Sequence, residues 1–237
     1  MKRPTTAAIG EKSKIICYPG ETNSAHAAYR NPPNWEMVVW RRYLRPGDLF
    51  VDVGANVGIY TLYLLDLGAE VIAVEPDPHN AGRVRENLSL NGYCAQVIQK
   101  AVCDRAGTVR FTQGYDSYNH LLPDGTAEGI DVEATTIDDV VGDRVVSGMK
   151  IDVEGAERLA LEGASRALAE HRIKLIQLEW TSNVVQSTLA ENRDPVADIL
   201  RRHGYVLYRP DRRLGELHKI EGYPPPGRDV FASAGEI

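Results

Sequence analysis

From residue 48 onward, short apolar runs alternate with stretches in which apolar residues recur at helical spacing. Strands are predicted at residues 48–53 and 70–74, and helices at residues 57–67 and 78–91. Gly68 ends the first helix, and Asn91-Gly92 ends the second. Strands that alternate with helices of this length are typical of βαβ units. We therefore expect an α/β fold with a doubly wound, largely parallel sheet and helices on both faces.

The same alternation continues toward the C-terminus after a different middle section. Short strands are predicted at 107–112 and 131–135, with the polar, glycine-rich stretch 113–129 between them. Before residue 35 the pattern is irregular, and Asn34 is a candidate cap for the helix that follows. We expect an N-terminal extension, 1–34, and one domain, 35–237. The remaining predicted strands are 96–102, 147–153, 173–180, 205–208 and 229–232, and the remaining helices are a short one near residue 138, then 155–169 and 195–203.

Composition narrows the class of protein. A chain of 237 residues suits one sizeable core, and its net charge of −6 disfavours binding to nucleic acid. The three cysteines, Cys17, Cys94 and Cys103, form no metal-binding pair and indicate reduced thiols. We find neither a signal peptide nor an apolar run of membrane-spanning length. These features lead us to expect a cytoplasmic protein with no membrane partner.

The first candidate for chemistry is the loop Val-Asp-Val-Gly-Ala-Asn-Val-Gly at residues 51–58. Gly54 and Gly58 allow the backbone to approach a ligand, at the strand end where open α/β sheets bind theirs. Asn56 occupies the place of the middle glycine of a dinucleotide fingerprint, and no P-loop lysine follows. A nucleoside with an amino-acid tail fits better. Asp52 is placed to meet its ammonium group, and the backbone N–H groups of residues 56–58 its carboxylate.

Glu75 is the second candidate. It ends the second predicted strand and lies 23 residues after Asp52. An acidic residue about 20 residues beyond such a loop is the usual acceptor for ribose hydroxyls. Loop and carboxylate together favour a nucleoside site over a pair of ordinary turns.

Five segments together resemble the FkbM-type methyltransferases. They are residues 51–61, the run Glu75-Pro76-Asp77-Pro78, residues 87–91, residues 135–139 and the distinctive Lys-Ile-Asp-Val-Glu-Gly-Ala-Glu at 150–157. The resemblance implies a class I methyltransferase fold, with seven strands and the last one antiparallel. It also implies S-adenosylmethionine as the cofactor. The implied reaction is O-methylation of a hydroxyl on a sugar, polyketide or other small natural product.

The resemblance assigns site residues position by position. Asp52, Gly54, Asn56 and Gly58 become donor-site positions, Glu75 the ribose ligand, and Asp104 a weaker candidate near the adenine. The stretches 1–34 and 113–129 match nothing in the family pattern, and we expect them to hold the specificity for a small-molecule acceptor. The oligomeric state stays open, with a homodimer as one option.

Carboxylates at the ends of the central strands are the candidates for proton removal. Asp152 and Glu154 end the fourth strand of the alternation, and Glu179 ends the fifth. Glu154 has an alternative role as a cap of the next helix. The three residues are also an oxygen set that suits Mg²⁺, although we do not expect a metal.

His120 is a further candidate base, because it lies in a polar segment that can fold over the site as a lid. Trp180, with Tyr115 and Tyr118, is a candidate aromatic wall for the acceptor, or else core packing. His120, Tyr115 and Tyr118 lie in the stretch 113–129, which the family pattern does not cover.

Other functions remain open at this point. An N-, C- or carboxyl-methyltransferase, including one that acts on a peptide, shares the donor site. A nicotinamide-dependent oxidoreductase is disfavoured by Asn56. A non-catalytic binding module is disfavoured by the intact acidic residues. A nucleic-acid methyltransferase is disfavoured by charge and by Asp152-Val153-Glu154-Gly155, which stands where an Asn-Pro-Pro-Tyr-type motif is required.

Overall fold

The computed structural model describes residues 3–20, 35–114, 119–123, 125, 127–180, 194–211, 213–224, 229–235 and 237. The strands are β1 (Thr5–Ile9), β2 (Ser13–Cys17), β3 (Leu49–Val53), β4 (Glu70–Val74), β5 (Gln96–Ile98), β6 (Ala101–Val102), β7 (Gly107–Phe111), β8 (Leu121–Leu122), β9 (Ile130–Thr135), β10 (Gly148–Ile151), β11 (Leu175–Leu178), β12 (Val206–Pro210), β13 (Leu217–Lys219) and β14 (Val230–Ser233). The helices are α1 (Trp35–Tyr43), α2 (Ile59–Asp66), α3 (Pro78–Asn91), α4 (Ile137–Val141), α5 (Glu157–Glu162), α6 (Ser165–Ala169) and α7 (Asp194–Arg202).

One sheet organises the molecule, with the strand order β13-β12-β14-β11-β10-β3-β4-β5. Strands β11, β10, β3, β4 and β5 are parallel, whereas β14 runs antiparallel to β11 and β12. The predicted doubly wound fold with an antiparallel last strand is therefore confirmed. Strand β13 is a short addition at the edge, beyond the seven expected strands.

Apolar side chains bury both faces of this sheet. On one face Trp40 of α1 meets Phe50 edge-on, with ring centroids 4.7 Å apart, and lies 5.5 Å from the ring of Phe231. On the other face Met149 and Leu161 belong to a second cluster and are fully buried. Parallel strands covered on both faces read as continuous apolar runs, which is why the sequence pattern located them.

Two predicted elements are divided in the structure. The strand expected at 96–102 becomes β5 in the main sheet and β6 in a second sheet, ordered β6-β9-β7-β8. The helix expected at 155–169 becomes α5 and α6. At Gly163, between them, a Cβ atom would lie 2.1 Å from the carbonyl oxygen of Cys103. This close approach to another segment is invisible in a helical pattern, so tertiary packing set both breaks.

The N-terminal extension is not irregular in its first part, which corrects the expectation. Strands β1 and β2 form an antiparallel hairpin, and Ile15 is fully buried in the core that contains Trp40. Asp66 of α2 accepts hydrogen bonds from the backbone N–H groups of Glu11 (2.7 Å) and Lys12 (3.1 Å). Isolated hairpins are only marginally stable. This hairpin depends on contacts with a helix far away in the sequence, so the local sequence pattern does not predict it.

Candidate active site

A cleft of about 320 Å³ opens at the carboxyl ends of β3, β4, β10 and β11. This is the edge at which open α/β sheets bind ligands. The second sheet closes one side of it through Phe111 and Leu121. The polar and charged residues among those that line it are Asp52, Asn56, Tyr60, Glu75, Asn80, Lys100, Asn119, Lys150, Asp152, Glu154, Glu179 and Asp229.

Gly54 lines the cleft and has a left-handed conformation, with φ of 81°. A Cβ atom on it would stand 1.9 Å from the carbonyl oxygen of Asp152. The loop after β3 therefore needs glycine to pass the end of β10. Gly58, with φ of 90°, precedes α2, and a Cβ atom on it would stand 3.5 Å from the side chain of Val84. It does not line the cleft, so its place is in the turn into the helix.

The N–H groups of the loop after β3 already have acceptors within the chain. The backbone N–H of Asn56 donates to Glu75 Oε2 at 2.8 Å, and that of Val57 donates to Asn56 Oδ1 at 2.7 Å. The Gly58 N–H donates to the carbonyl of Ala55 at 2.8 Å. A ligand carboxylate would therefore have to replace these acceptors, and its binding by the three groups stays a prediction. Sequence patterns reveal a glycine loop but not which of its donors are already satisfied.

Glu75 lies beneath the cleft and is only 5 % exposed. Its Oε1 accepts from the backbone N–H of Asp77 at 2.9 Å, and its Oε2 from Asn56. Burial raises the pKa of Glu75 from its usual value near 4.5 to about 7, although these two hydrogen bonds oppose the shift. Each carboxylate oxygen has a second lone pair, so both can also accept a ligand hydroxyl.

Asp52, at the end of β3, is 1 % exposed. Its Oδ2 accepts from Thr61 Oγ1 at 2.6 Å, whereas Oδ1 has no hydrogen-bond partner within the described residues. Burial raises its pKa, and the ammonium of Lys150 counteracts this shift. A buried acceptor oxygen that has no partner and lies at the wall of a cleft is suited to a hydrogen-bond donor of a ligand, such as an ammonium group.

The far end of the cleft beyond Glu75 is lined by apolar residues suited to a flat ring, namely Val74, Val102, Phe111 and Leu121. Asp104, the sequence candidate for this end, is not among the lining residues. It accepts hydrogen bonds from Cys103 Sγ (3.1 Å) and Arg105 (3.1 Å) instead. The chain turns into β7 after β6, which carries Asp104 away from the cleft.

The opposite end of the cleft brings three predicted carboxylates together. Oxygen atoms of Asp152, Glu154 and Glu179 lie within 4.8 Å of one another. Burial, together with the charges of Asp152 and Glu154, raises the pKa of Glu179 to about 9. We call these three residues the carboxylate cluster, and the raised pKa favours the protonated form of Glu179 within it. A hard cation is the other partner that such an oxygen set accepts.

The alternative role of Glu154 as a helix cap is not what the structure shows. The N-cap of α5 is Ala156, which makes no side-chain cap bond. Glu157 Oε1 accepts from the backbone N–H of Gly155 at 3.3 Å. Glu154 itself has a φ of 50°. Left-handed backbone at a non-glycine residue is costly and is concentrated at functional sites.

Lys150 is a site residue that our interpretation of the sequence missed. It lies in the middle of β10, is 8 % exposed, and donates to Asp152 Oδ2. Its ammonium also lies 4.7 Å from the ring centroid of Tyr60, in a cation–π contact. Burial alone lowers the pKa of a lysine, but the charges of Asp152 and Asp52 outweigh it and raise the pKa above its usual value. A lysine inside an apolar strand is the signal by which it was identifiable.

His120 and Trp180 do not line the cleft. His120 is 6 % exposed and does not line the cleft, although its neighbours Asn119 and Leu121 do. Its backbone N–H donates to Thr112 Oγ1 at 2.8 Å. Trp180 packs in the core and is 2 % exposed. Tyr115 and Tyr118 lie outside the described residues, so their assignment to an aromatic wall stays a prediction.

Comparison with protein families matches residues 52–207 to the methyltransferase FkbM domain. The 31-O-demethyl-FK506 methyltransferase FkbM of Streptomyces tacrolimicus is 31 % identical, over 75 % of this chain and 81 % of that protein. The hexuronic acid methyltransferase AglP of Haloferax volcanii is 24 % identical, over 55 % of this chain and 56 % of that protein.

Solved structures share the fold at low identity. A TehB-like SAM-dependent methyltransferase from Corynebacterium glutamicum superposes with a TM-score of 0.51 at 14 % identity, covering 88 % of this chain and 90 % of that one. Among the helices of the described ranges, none has the length and apolar character needed to cross a bilayer. The family match and the Streptomyces relative show that the chain belongs to the FkbM methyltransferase family, and it is an enzyme whose methyl donor is S-adenosylmethionine.

Proposed function

We propose that this enzyme transfers the methyl group to a hydroxyl oxygen of a small metabolite. The observation that carries the proposal is the carboxylate cluster at one end of the cleft, whose oxygens lie within 4.8 Å of one another. Removal of a hydroxyl proton requires an acceptor beside the reacting oxygen, and these carboxylates supply it. The name of the Streptomyces relative, a 31-O-demethyl-FK506 methyltransferase, agrees with an oxygen acceptor.

The residues of the other end fit the donor. Glu75 presents two oxygens to the ribose hydroxyls, and Val102 and Phe111 offer apolar surface to the adenine. Asp52 offers its Oδ1 to the ammonium group. We leave Asp104 out of the proposed donor set, because it does not line the cleft and accepts from Cys103. We also leave out the N–H groups of residues 56–58, because they already donate within the chain.

The proposed chemistry is an in-line displacement. When bound, S-adenosylmethionine supplies an electrophilic methyl carbon on a sulfonium. The donor would give up this methyl group to the acceptor oxygen, with S-adenosylhomocysteine as the leaving group, and Asp152 would take the hydroxyl proton. The hydrogen bond from Lys150 stabilises the negative charge of Asp152 until then. Holding nucleophile and carbon in line contributes to the acceleration, because it makes the reaction effectively unimolecular.

A metal-assisted variant of the same reaction is the second candidate, because the carboxylate cluster is also an oxygen set that can hold Mg²⁺. Against it, the ammonium of Lys150 already neutralises Asp152 and competes with a cation for the same oxygens. We therefore expect methyl transfer to persist without a metal.

The test couples a binding measurement to a transfer measurement. Calorimetric titration with S-adenosylmethionine establishes the donor, with NADH as the parallel negative control. The purified enzyme is then offered labelled donor and matched pairs of compounds, each pair being a hydroxyl compound and the analogue with that hydroxyl already methylated. We expect label in the first of each productive pair only, in the presence or absence of EDTA. Label that appears instead on amines or carboxylates contradicts the hydroxyl acceptor, and abolition by EDTA selects the metal-assisted variant.

A further inference from the structure

A row of polar side chains crosses the middle of the main sheet. Lys150 of β10 pairs laterally with Asp52 of β3 on one side and with Gln177 of β11 on the other. All three are buried, at 8 %, 1 % and 1 % exposure. Central positions of a parallel sheet are normally apolar, because a buried charge or amide is costly unless it is fully paired. A row of this kind therefore indicates a function beyond folding.

Gln177 is held in one orientation. Its Oε1 accepts from the indole N–H of Trp40 at 2.6 Å, and an indole nitrogen can only donate. The amide nitrogen must then face the other way. It donates to the hydroxyl of Tyr60 at 3.1 Å and to Asp229 Oδ2. Helix α1 thus fixes the amide, and the amide fixes the carboxylate of Asp229.

Asp229 reaches the acceptor end of the cleft through the sheet register. It immediately precedes β14, whose Val230 pairs with Leu178 of β11. Glu179 follows Leu178, so Asp229 and Glu179 lie next to each other at the same sheet edge. Asp229 lines the cleft, as do Tyr60 and Lys150. The carboxylate cluster accordingly has a fourth acidic neighbour that comes from the last strand.

The charges that line the cleft are unbalanced. Among the described lining residues, the carboxyl groups number six and the lysines two, and four of the six carboxyl groups lie at the acceptor end: Asp152, Glu154, Glu179 and Asp229. Lys100 belongs to the opposite part of the cleft and pairs with Glu133 at 2.9 Å. Lys150 is the remaining cation, and it is bonded to Asp152. An anionic acceptor would have to approach several carboxylates, and both lysines among these lining residues are already engaged in ion pairs. Such repulsion discriminates against anionic substrates.

We propose that Asp229, oriented by Gln177 and Trp40, binds the acceptor and restricts it to uncharged hydroxyl compounds or amine-bearing ones, excluding anionic acceptors. The proposal rests on the proposed function, because it places the acceptor beside the transferred methyl group. Asp229 accepts a hydrogen bond from a hydroxyl or ammonium of the acceptor. Gln177 and Trp40 are positioning residues.

The test needs no known acceptor. The probes are donor analogues in which a tertiary amine replaces the sulfur and carries a three-carbon arm that ends in an ammonium, a hydroxyl or a carboxylate. The parent analogue has a methyl group in place of the arm. We expect the ammonium and hydroxyl arms to bind at least about tenfold more tightly than the carboxylate arm, by calorimetry. Asp229→Asn should reduce the ammonium-to-carboxylate preference about fivefold, and Asp229→Glu should keep it.

Asp143→Asn is the matched control, because this aspartate has a side chain 90 % exposed and lies outside the lining of the cleft. It should leave every ratio unchanged. A wild-type enzyme that binds the carboxylate arm as tightly as the ammonium arm overturns the proposal, whether or not the variants fold. So does a folded Asp229→Asn protein with an unaltered preference. If the parent analogue itself does not bind, the donor site and thus the proposed function have failed as well, which separates the two ideas.

Discussion

The two ends of the cleft are built in different ways. The donor end comes from contiguous segments, since Asp52 lies in β3, Gly54 and Asn56 in the loop after it, and Glu75 immediately after β4. The acceptor end is assembled from Tyr60 of α2 and from Asp152, Glu179 and Asp229, which flank β10, β11 and β14, so its parts are spread over most of the chain. A site within one βαβ unit has its spacing fixed by local geometry, whereas the acceptor end depends on how the whole sheet is ordered. The donor end is therefore suited to remain constant while the acceptor end varies.

Asp152→Asn is expected to separate the functions of the two ends most strongly. The change keeps shape and removes the proposed proton acceptor, so turnover should fall by about 10²- to 10³-fold while donor affinity changes by less than about threefold. Single-turnover transfer of labelled methyl and calorimetry measure the two quantities. Asp139→Asn, an exposed carboxylate in α4, is the control. Full activity in Asp152→Asn removes this residue from the mechanism.

Gly54→Ala tests the point where the two ends meet. The new Cβ atom would stand 1.9 Å from the Asp152 carbonyl oxygen, at a φ of 81°. We expect the free energy of unfolding to fall by at least about 3 kcal/mol, from backbone strain plus overlap. Gly47→Ala is matched to it, with φ of 86° but nothing within 4 Å of the added atom, and should cost about 1–2 kcal/mol. Equal losses in urea unfolding would show that the overlap is relieved without cost.

Glu75→Ala should affect the donor end alone. Loss of the two ribose contacts should weaken S-adenosylmethionine binding by about 30-fold, which corresponds to about 2 kcal/mol. Asp104→Ala is the paired variant, and it should bind the donor within about twofold of the wild type because Asp104 does not line the cleft. If calorimetry shows the reverse order, the adenine end has been placed on the wrong residues.

The pKa of Glu75 makes donor binding depend on pH. The pKa is about 7 in the folded enzyme, and ribose hydroxyls are accepted best by the ionised carboxylate. Between pH 7 and pH 6 the dissociation constant should rise by about fivefold, and above pH 8 it should be constant. Glu75→Gln should flatten this profile. A wild-type profile that is already flat would show that Glu75 binds in its protonated form.

The free energy of unfolding should depend on the ionisation of Glu75 with the opposite sign, because it should fall as pH rises. Because the folded pKa, about 7, lies above the unfolded value near 4.5, the folded protein binds the extra proton. The stabilisation is complete below about pH 4.5 and is lost as pH rises through about 7, amounting to about 3 kcal/mol as an upper bound. The difference between wild type and Glu75→Gln in urea unfolding at pH 5 and pH 8 isolates this slope. No change in that difference between the two pH values would contradict the raised pKa.

Much of the fold was predictable because its signals are local. Strand β4 and helix α3 have the predicted bounds, since Asp77 caps α3 by accepting from the N–H groups of His79 (2.8 Å) and Asn80 (3.0 Å). Gly92 then ends the helix with φ of 67°. The end of β5 before residues 99–100 and the interruption of the helix at Gly163 were not predictable. The first depends on pairing in the second sheet, and the second on the close approach of Cys103.

Within the candidate site, the sequence alone determined the glycine loop, Glu75 and the carboxylates after β10 and β11, because each follows a strand whose end faces the cleft. Only the tertiary structure decided that His120 and Asp104 do not line the cleft, and that Lys150, Gln177 and Asp229 belong to one network. The physical reason is the lateral pairing of strands. It joins residues that are more than 100 positions apart in the chain, such as Asp52 and Gln177 on either side of Lys150, and no local pattern records it.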